Sequence, residues 1–176
     1  MPAPDGHKEF RAALGLFATG VAVVTSRAPT GKDIGLTITS FNSVSLDPPM
    51  VLWSLGRSSS NYPAFSSVDA FAVHVLSAEQ EQVCRQFSTS GIDRFAGLDC
   101  TRGLSGVPLI PGCAAVFECE VCHRYEGGDH VIVVGKVLSF ASSHQVPLVF
   151  WRGRIDTPFG RAQSGLGVQP PTARYA

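Results

Sequence analysis

Apolar positions along the chain fall into short runs separated by glycine, proline and serine. From Lys8, the residues Phe10, Ala13, Leu14 and Phe17 recur at the i, i+3, i+4, i+7 positions of one helical face. Gly20 is placed to close that helix as a C-cap, and residues 1–7 before it read as loose. VAVVTS from Val21 predicts a strand, and RAPTGKD a turn around Pro29 and Gly31. Leu36 to Leu46 reads as extended, and Met50 to Leu55 as a further strand after Pro48-Pro49. GRSSSNYPAF is a loop, and Ala70 to Leu76 is a strand. Ser77 with Gln80 has the form of a capping box, which opens a short helix over Ala78 to Phe87. A glycine-rich irregular stretch follows. Ala114 to Tyr125 and His130 to Phe140 predict a hairpin around Gly127-Gly128, and Pro147 to Ile155 a last strand. Such short strands, with two helices, do not alternate as βαβ units do. The pattern predicts a mainly β fold, an antiparallel barrel with short helices at its edges.

Composition narrows the picture. The 176 residues suit one domain, placed here at 8–155 with a tail over 156–176. Lys+Arg and Asp+Glu each number 14, and no basic stripe offers a phosphate-backbone footprint, which argues against nucleic acid. Only 16% of residues are charged while 44% are hydrophobic, so part of the surface is expected to be covered by a partner subunit. The N-terminal MPAPDGHKEF lacks the apolar core of a signal peptide, and no apolar run approaches the roughly 18–20 residues of a membrane span. With five cysteines, an odd number, these features lead to the expectation of a cytoplasmic protein with reduced thiols.

Several chemical motifs fail on inspection. Cys119 and Cys122 form a CxxC inside a predicted strand, where side chains three apart point to opposite faces, and no second pair completes a zinc site. Gly31-Lys32 lacks the earlier glycine of a phosphate-binding loop, since Ser26 stands there. Gly165-Leu166-Gly167 has no third glycine after it. No serine sits in a GxSxG elbow, and the histidines are scattered.

The segment GLTITSFNSVSLDPPMVLWSL, Gly35 to Leu55, is the anomaly. It looks buried, yet carries the hydroxyls of Thr37, Thr39, Ser40, Ser43 and Ser45, which are costly to bury unsatisfied. In a straight strand, Thr37, Thr39, Ser43 and Ser45 share one face and Leu36, Ile38 and Val44 the other. Two readings stay open: a solvated Thr/Ser face, or a surface that binds a polar planar ligand in a barrel mouth. Likewise Arg57 with Ser58, Ser59 and Ser60 is either a flexible polar loop or a phosphate cradle.

The ordered blocks FRAALGLFATGVAVVTS, GLTITSFNSVSLDPPMVLWSL, FAVHVLSAEQ, GGDHVIVVGKV and PLVFWRGR resemble the short-chain flavin reductases, the reductase components of two-component flavin-dependent monooxygenases. The resemblance covers about residues 8–155. It implies a split β-barrel of Greek-key type, a homodimer, and hydride transfer from NADH or NADPH to FMN or FAD, the reduced flavin then leaving for an oxygenase. It would place Thr37, Ile38, Thr39, Ser40, Ser43, Val44 and Ser45 along the flavin ring and ribityl chain. Ser54 and the loop Arg57, Ser58, Ser59, Ser60 and Asn61 would face the phosphate, and Phe87 would sit near the flavin. Asp129-His130 falls in a Gly-Asp-His motif associated with the nicotinamide, and Arg94 and Phe95 would cover the site, the alternative for Phe95 being to anchor its loop. For Trp53 and Trp151, core packing or dimer burial is expected, the alternative for Trp151-Arg152 being to line the nicotinamide side. Direct hydride transfer needs no acid–base triad, because the cofactors supply the chemistry. The alternatives are a flavin-binding module of the same barrel class, and an oxidase with tightly held FMN.

Overall fold

The computed structural model describes residues 4–157. The elements, in chain order, are α1 (Pro4–Leu14), β1 (Thr19–Gly20), β2 (Ala22–Arg27), β3 (Asp33–Ile38), β4 (Asn42–Leu46), β5 (Pro49–Gly56), α2 (Tyr62–Phe65), β6 (Ala70–Val75), α3 (Glu81–Ser88), β7 (Thr101–Arg102), β8 (Pro108–Leu109), β9 (Ala115–Gly127), β10 (His130–Ser142), β11 (Val149–Trp151) and β12 (Arg154–Asp156). Seven of them form one antiparallel sheet in the order β3-β2-β6-β9-β10-β5-β4. Its two edges, β3 and β4, are consecutive in sequence and joined only by Thr39–Phe41, so the edges must come together there. Ala22, Val24, Ile38, Trp53, Phe71, Val73, Cys119 and Val133, from six of those strands, share a single apolar cluster. The sheet therefore curls around its own core: a barrel split between β3 and β4.

Both faces of β2 and β6 are buried. Val21 and Val23 point the other way from Ala22 and Val24, into a second cluster with Leu76, Phe87, Ile110 and Leu148. This explains the unbroken apolar run of VAVV, which alternation alone does not require. The capping-box contact is present, with Gln80 Oε1 accepting the Ser77 N–H at 3.0 Å ahead of α3.

Some boundaries differ from the sequence reading, each for a local reason. The first helix runs from Pro4 to Leu14, taking in residues read as loose, and Gly15 rather than Gly20 follows its last turn; Gly20 belongs to β1. Proline is well tolerated in a first helical turn and glycine just past the last one. The extended run Leu36–Leu46 is two strands, because its hydroxyl-rich middle is the crossing between sheet edges. A bulge at Val44 then shifts the β4–β5 register, so Val44 does not join the face of Leu36 and Ile38 and is exposed. Pro147–Ile155 holds two short strands around an Arg152-Gly153 turn in which both residues have positive φ. The expected tail lies, from residue 158, outside the described residues.

Gly35 shows how tightly α3 is seated. A Cβ placed there would stand 2.5 Å from Cε1 of Phe87, a ring with no solvent exposure. Gly35→Ala is expected to destabilise the fold by about 1–3 kcal/mol through overpacking, checked by urea unfolding.

Candidate functional site

The end of β5 gathers three chemically distinct pieces. Gly56 lies opposite His130 on β10, and the next amide, Arg57 N–H, donates to the Asp129 carbonyl at 2.9 Å. The hairpin tip at Gly127–His130 is thus fastened to the start of the serine loop. Within that loop, Ser59 N–H donates to Gly56 and Asn61 N–H to the Ser59 hydroxyl at 3.2 Å. From the other side, the Ser40 hydroxyl accepts the Ser54 N–H at 2.9 Å, tying the β3–β4 crossing to the same strand. Ser40, Ser54, Arg57 to Asn61, Asp129 and His130, widely separated in sequence, are brought together.

The hairpin tip has a defined internal geometry. His130 Nδ1 is 2.7 Å from Asp129 Oδ1. This hydrogen bond, with the attraction of the ring's positive form, holds the Asp129 carboxyl below its ordinary range. With Nδ1–H donating to Asp129, the Nε2 edge is directed over Gly56: a Cβ there would be 3.4 Å from Nε2. Glycine leaves room for the ring at this position.

The hydroxyls of the anomalous segment divide. Thr37 Oγ1 donates to the Cys84 carbonyl of α3 at 2.8 Å, and Ser40 is spent on Ser54. These two are satisfied by the protein, which corrects the idea that a ligand must satisfy the whole set. Thr39 and Ser43 are exposed, and Ser45 is half-buried. Ile38 faces the barrel core, and so cannot line a ligand site with its side chain. Ser43 and Ser45 pair with Val51 and Met50, toward the far end of β5. At about 3.4 Å per residue, that puts them roughly 20 Å from Arg57.

Phe87 is wholly buried against Gly35 and edge-on to Phe95, at 5.1 Å between ring centres. Phe95 is therefore a loop anchor. Arg94 donates to the Gly35 carbonyl at 3.0 Å and to Thr89 at 2.9 Å, while Gln86 of α3 bonds the Arg94 and Ala96 carbonyls. The anchored loop walls a groove of about 820 Å³ lined by Lys32 to Gly35, Ser60, Asn61 and Gly91 to Phe95. Trp53 is core, against Phe65 and Phe71. Trp151 is about half exposed, with the Arg152 guanidinium 4.8 Å from its ring centre.

Arg57 has partners that the sequence does not disclose. Its Nη2 donates to Glu126 Oε2 on β9, and Nη1 to the Tyr62 hydroxyl at 2.9 Å, with the guanidinium 5.5 Å from the Tyr62 ring centre. Sixty-nine residues separate Arg57 from Glu126, and no spacing signal links them.

The residues present suit a flavin phosphate and ring. Ser58 and Ser60 are exposed beside Arg57, the groove opens next to Ser60 and Asn61, and Gly56 leaves space under His130. Comparison with known proteins points the same way. Residues 14–158 match the family model "Flavin reductase like domain". The chain is 48% identical over 161 residues to FMN reductase (NADH) SmoA of Agrobacterium fabrum, covering 92% of this chain and 89% of that one. It is 40% identical to the reductase component of a flavin-dependent trigonelline monooxygenase of Acinetobacter baylyi, over 90% of this chain but only 51% of that protein. Against that relative and a probable flavin reductase of Rhizobium meliloti, of which it covers 49%, the chain spans about half the relative's length. Among solved structures, an NADH:FAD oxidoreductase of Streptomyces globisporus in complex with NAD and FAD fragments superposes with a TM-score of 0.81 at 37% identity, covering 88% of this chain and 94% of that one. The chain belongs to the flavin reductase family.

Proposed function

We propose that this protein is an NAD(P)H-dependent flavin reductase whose domain spans about residues 8–155, and that it passes reduced FMN or FAD to a separate flavin-dependent monooxygenase in the cytoplasm. The observation that carries the reading is the junction at the end of β5, where the serine loop and the Asp129–His130 tip are bonded to each other. Flavin, when bound, supplies the acceptor for the nicotinamide hydride. Ser58, Ser60 and the loop amides hold its phosphate by hydrogen bonds. Thr39, Ser43 and Ser45 offer donors along the remainder. Asp129 fixes the His130 ring, so that Nε2 meets the nicotinamide from a set direction and helps keep the two reacting rings in contact. No protein proton transfer is required, so Asp129 and His130 serve to orient the nicotinamide and not as an acid–base pair. NADH or NADPH oxidation that saturates in both the nicotinamide and added flavin tests the reading; oxidation indifferent to added flavin contradicts it.

The protein acts as a homodimer. Phe10, Leu14 and Phe17 on α1 and its following turn are 64%, 57% and 77% exposed, an apolar stripe that the described residues leave uncovered. A second copy covers it. Phe10→Asp with Phe17→Asp is expected to give a monomer by sedimentation, where the unchanged chain sediments as a dimer. All five cysteines are unpaired, and burial raises the Cys119 thiol to about 12, which suits a reducing compartment.

A further inference from the structure

We propose that Glu126 is a positioning residue that holds Arg57 away from the flavin phosphate and thereby sets how readily phosphorylated flavin leaves. The inference rests on the flavin reading of the serine loop given above. Arg57 is the cation of the Arg57–Asn61 loop, and a phosphate seated on Ser58 and Ser60 would lie beside its side chain. Yet the guanidinium is not directed into an open cradle. It is claimed by the Glu126 carboxylate and the Tyr62 hydroxyl. The carboxylate raises the already high Arg57 pKa, first through its hydrogen bond.

This arrangement sets up a competition between two anions for one guanidinium. When a phosphate occupies the loop, Arg57 must share its donors with Glu126 or exchange the carboxylate for the phosphate. When the flavin departs, Glu126 takes the guanidinium back, so the cation is not left unpaired. Phosphate affinity is lower than Arg57 alone would give, and release is faster. That is the behaviour a diffusible product needs. Glu126 pairs with Val131 on β10, on the same hairpin whose tip carries Asp129 and His130. The release device is therefore built on the strand pair that also carries the nicotinamide side.

The test compares FMN with riboflavin, which has the same ring and no phosphate. Dissociation constants are taken from flavin fluorescence for the unchanged protein, Glu126→Gln and Arg57→Ala, with thermal unfolding as a check on folding. For a partly exposed ion pair, Glu126→Gln is expected to tighten FMN roughly three- to fivefold and slow its release in proportion, leaving riboflavin unchanged. Arg57→Ala is expected to weaken FMN and spare riboflavin. If Glu126→Gln leaves the preference for FMN over riboflavin at its original value while Arg57→Ala reduces it, the competition is overturned and the phosphate loop stands. If the unchanged protein does not prefer FMN to riboflavin, the phosphate loop itself is wrong and this proposal falls with it.

Discussion

Replacing His130 by Ala is expected to lower kcat/KM for the reduced nicotinamide by roughly ten- to a hundredfold, the scale set by losing one positioning contact near the reacting atoms, if His130 has the nicotinamide role proposed above. FMN binding, measured by fluorescence, stays where it was. Gly127 and Gly128 let β9 turn directly into β10, and the β5–β10 pairing sets His130 against Gly56. Asp129 then takes the Nδ1 edge at 2.7 Å, so the ring presents Nε2 in one orientation. His130→Asn keeps a hydrogen-bonding side chain and is expected to recover part of the loss. Since His130 is half exposed and outside both apolar clusters, neither change should alter stability by more than about 0.5 kcal/mol. A His130→Ala protein with undiminished kcat/KM would remove the nicotinamide role from this residue.

The second large effect is on stability against acid, and it comes from a different histidine. His74 on β6 is fully buried between β2 and β9, opposite Val23 and Val116. Its Nδ1 is 3.2 Å from the Val23 carbonyl, and Nε2 is buried with no partner among the described residues. Burial pushes its pKa down to about 4, against the smaller opposing effect of the Val23 contact. The ordinary value in an unfolded chain is about 6.5. Between those values the unfolded chain binds a proton that the folded one refuses, so stability falls as pH drops from 6.5 to about 4. Above 6.5 the residue is neutral in both states, and its titration adds no pH dependence. The interval corresponds to about 3 kcal/mol, at about 1.4 kcal/mol per pH unit. Denaturant unfolding at pH 7 and pH 4.5 measures it. The loss on acidification should be smaller in His74→Leu by most of that amount, and an equal loss in both proteins would refute the account.

The two histidines show what sequence does and does not reveal. His130 was legible because a Gly-Gly turn between alternating strands fixes a hairpin locally. His74 sits in AFAVHVL, where a polar residue on an apolar strand gives no sign of which second layer it faces. That layer is made by Val21, Leu76, Ile110 and Leu148, far apart in the chain. The strands β2, β5, β6, β9 and β10 are readable because each carries its own apolar run. The one-turn helix α2 and the crossing at Thr39–Phe41 were not. One is too short for a period, and the other is rich in hydroxyls that suit a strand equally well. The packing of Phe87 was not legible for a similar reason: its burial depends on the missing side chain of Gly35, 52 positions away. The serine loop was visible as composition, but Glu126 became part of it only through the β9–β10 register.

The central claim is that reduced flavin leaves the protein. Anaerobic mixing with NADH and excess FMN or FAD, followed by ultrafiltration, tests it most directly. The account predicts protein-dependent bleaching of many equivalents of flavin, with the reduced flavin recovered in the filtrate. Bleaching limited to one equivalent that stays with the protein would contradict it, and would make this chain a tight flavin-holding enzyme.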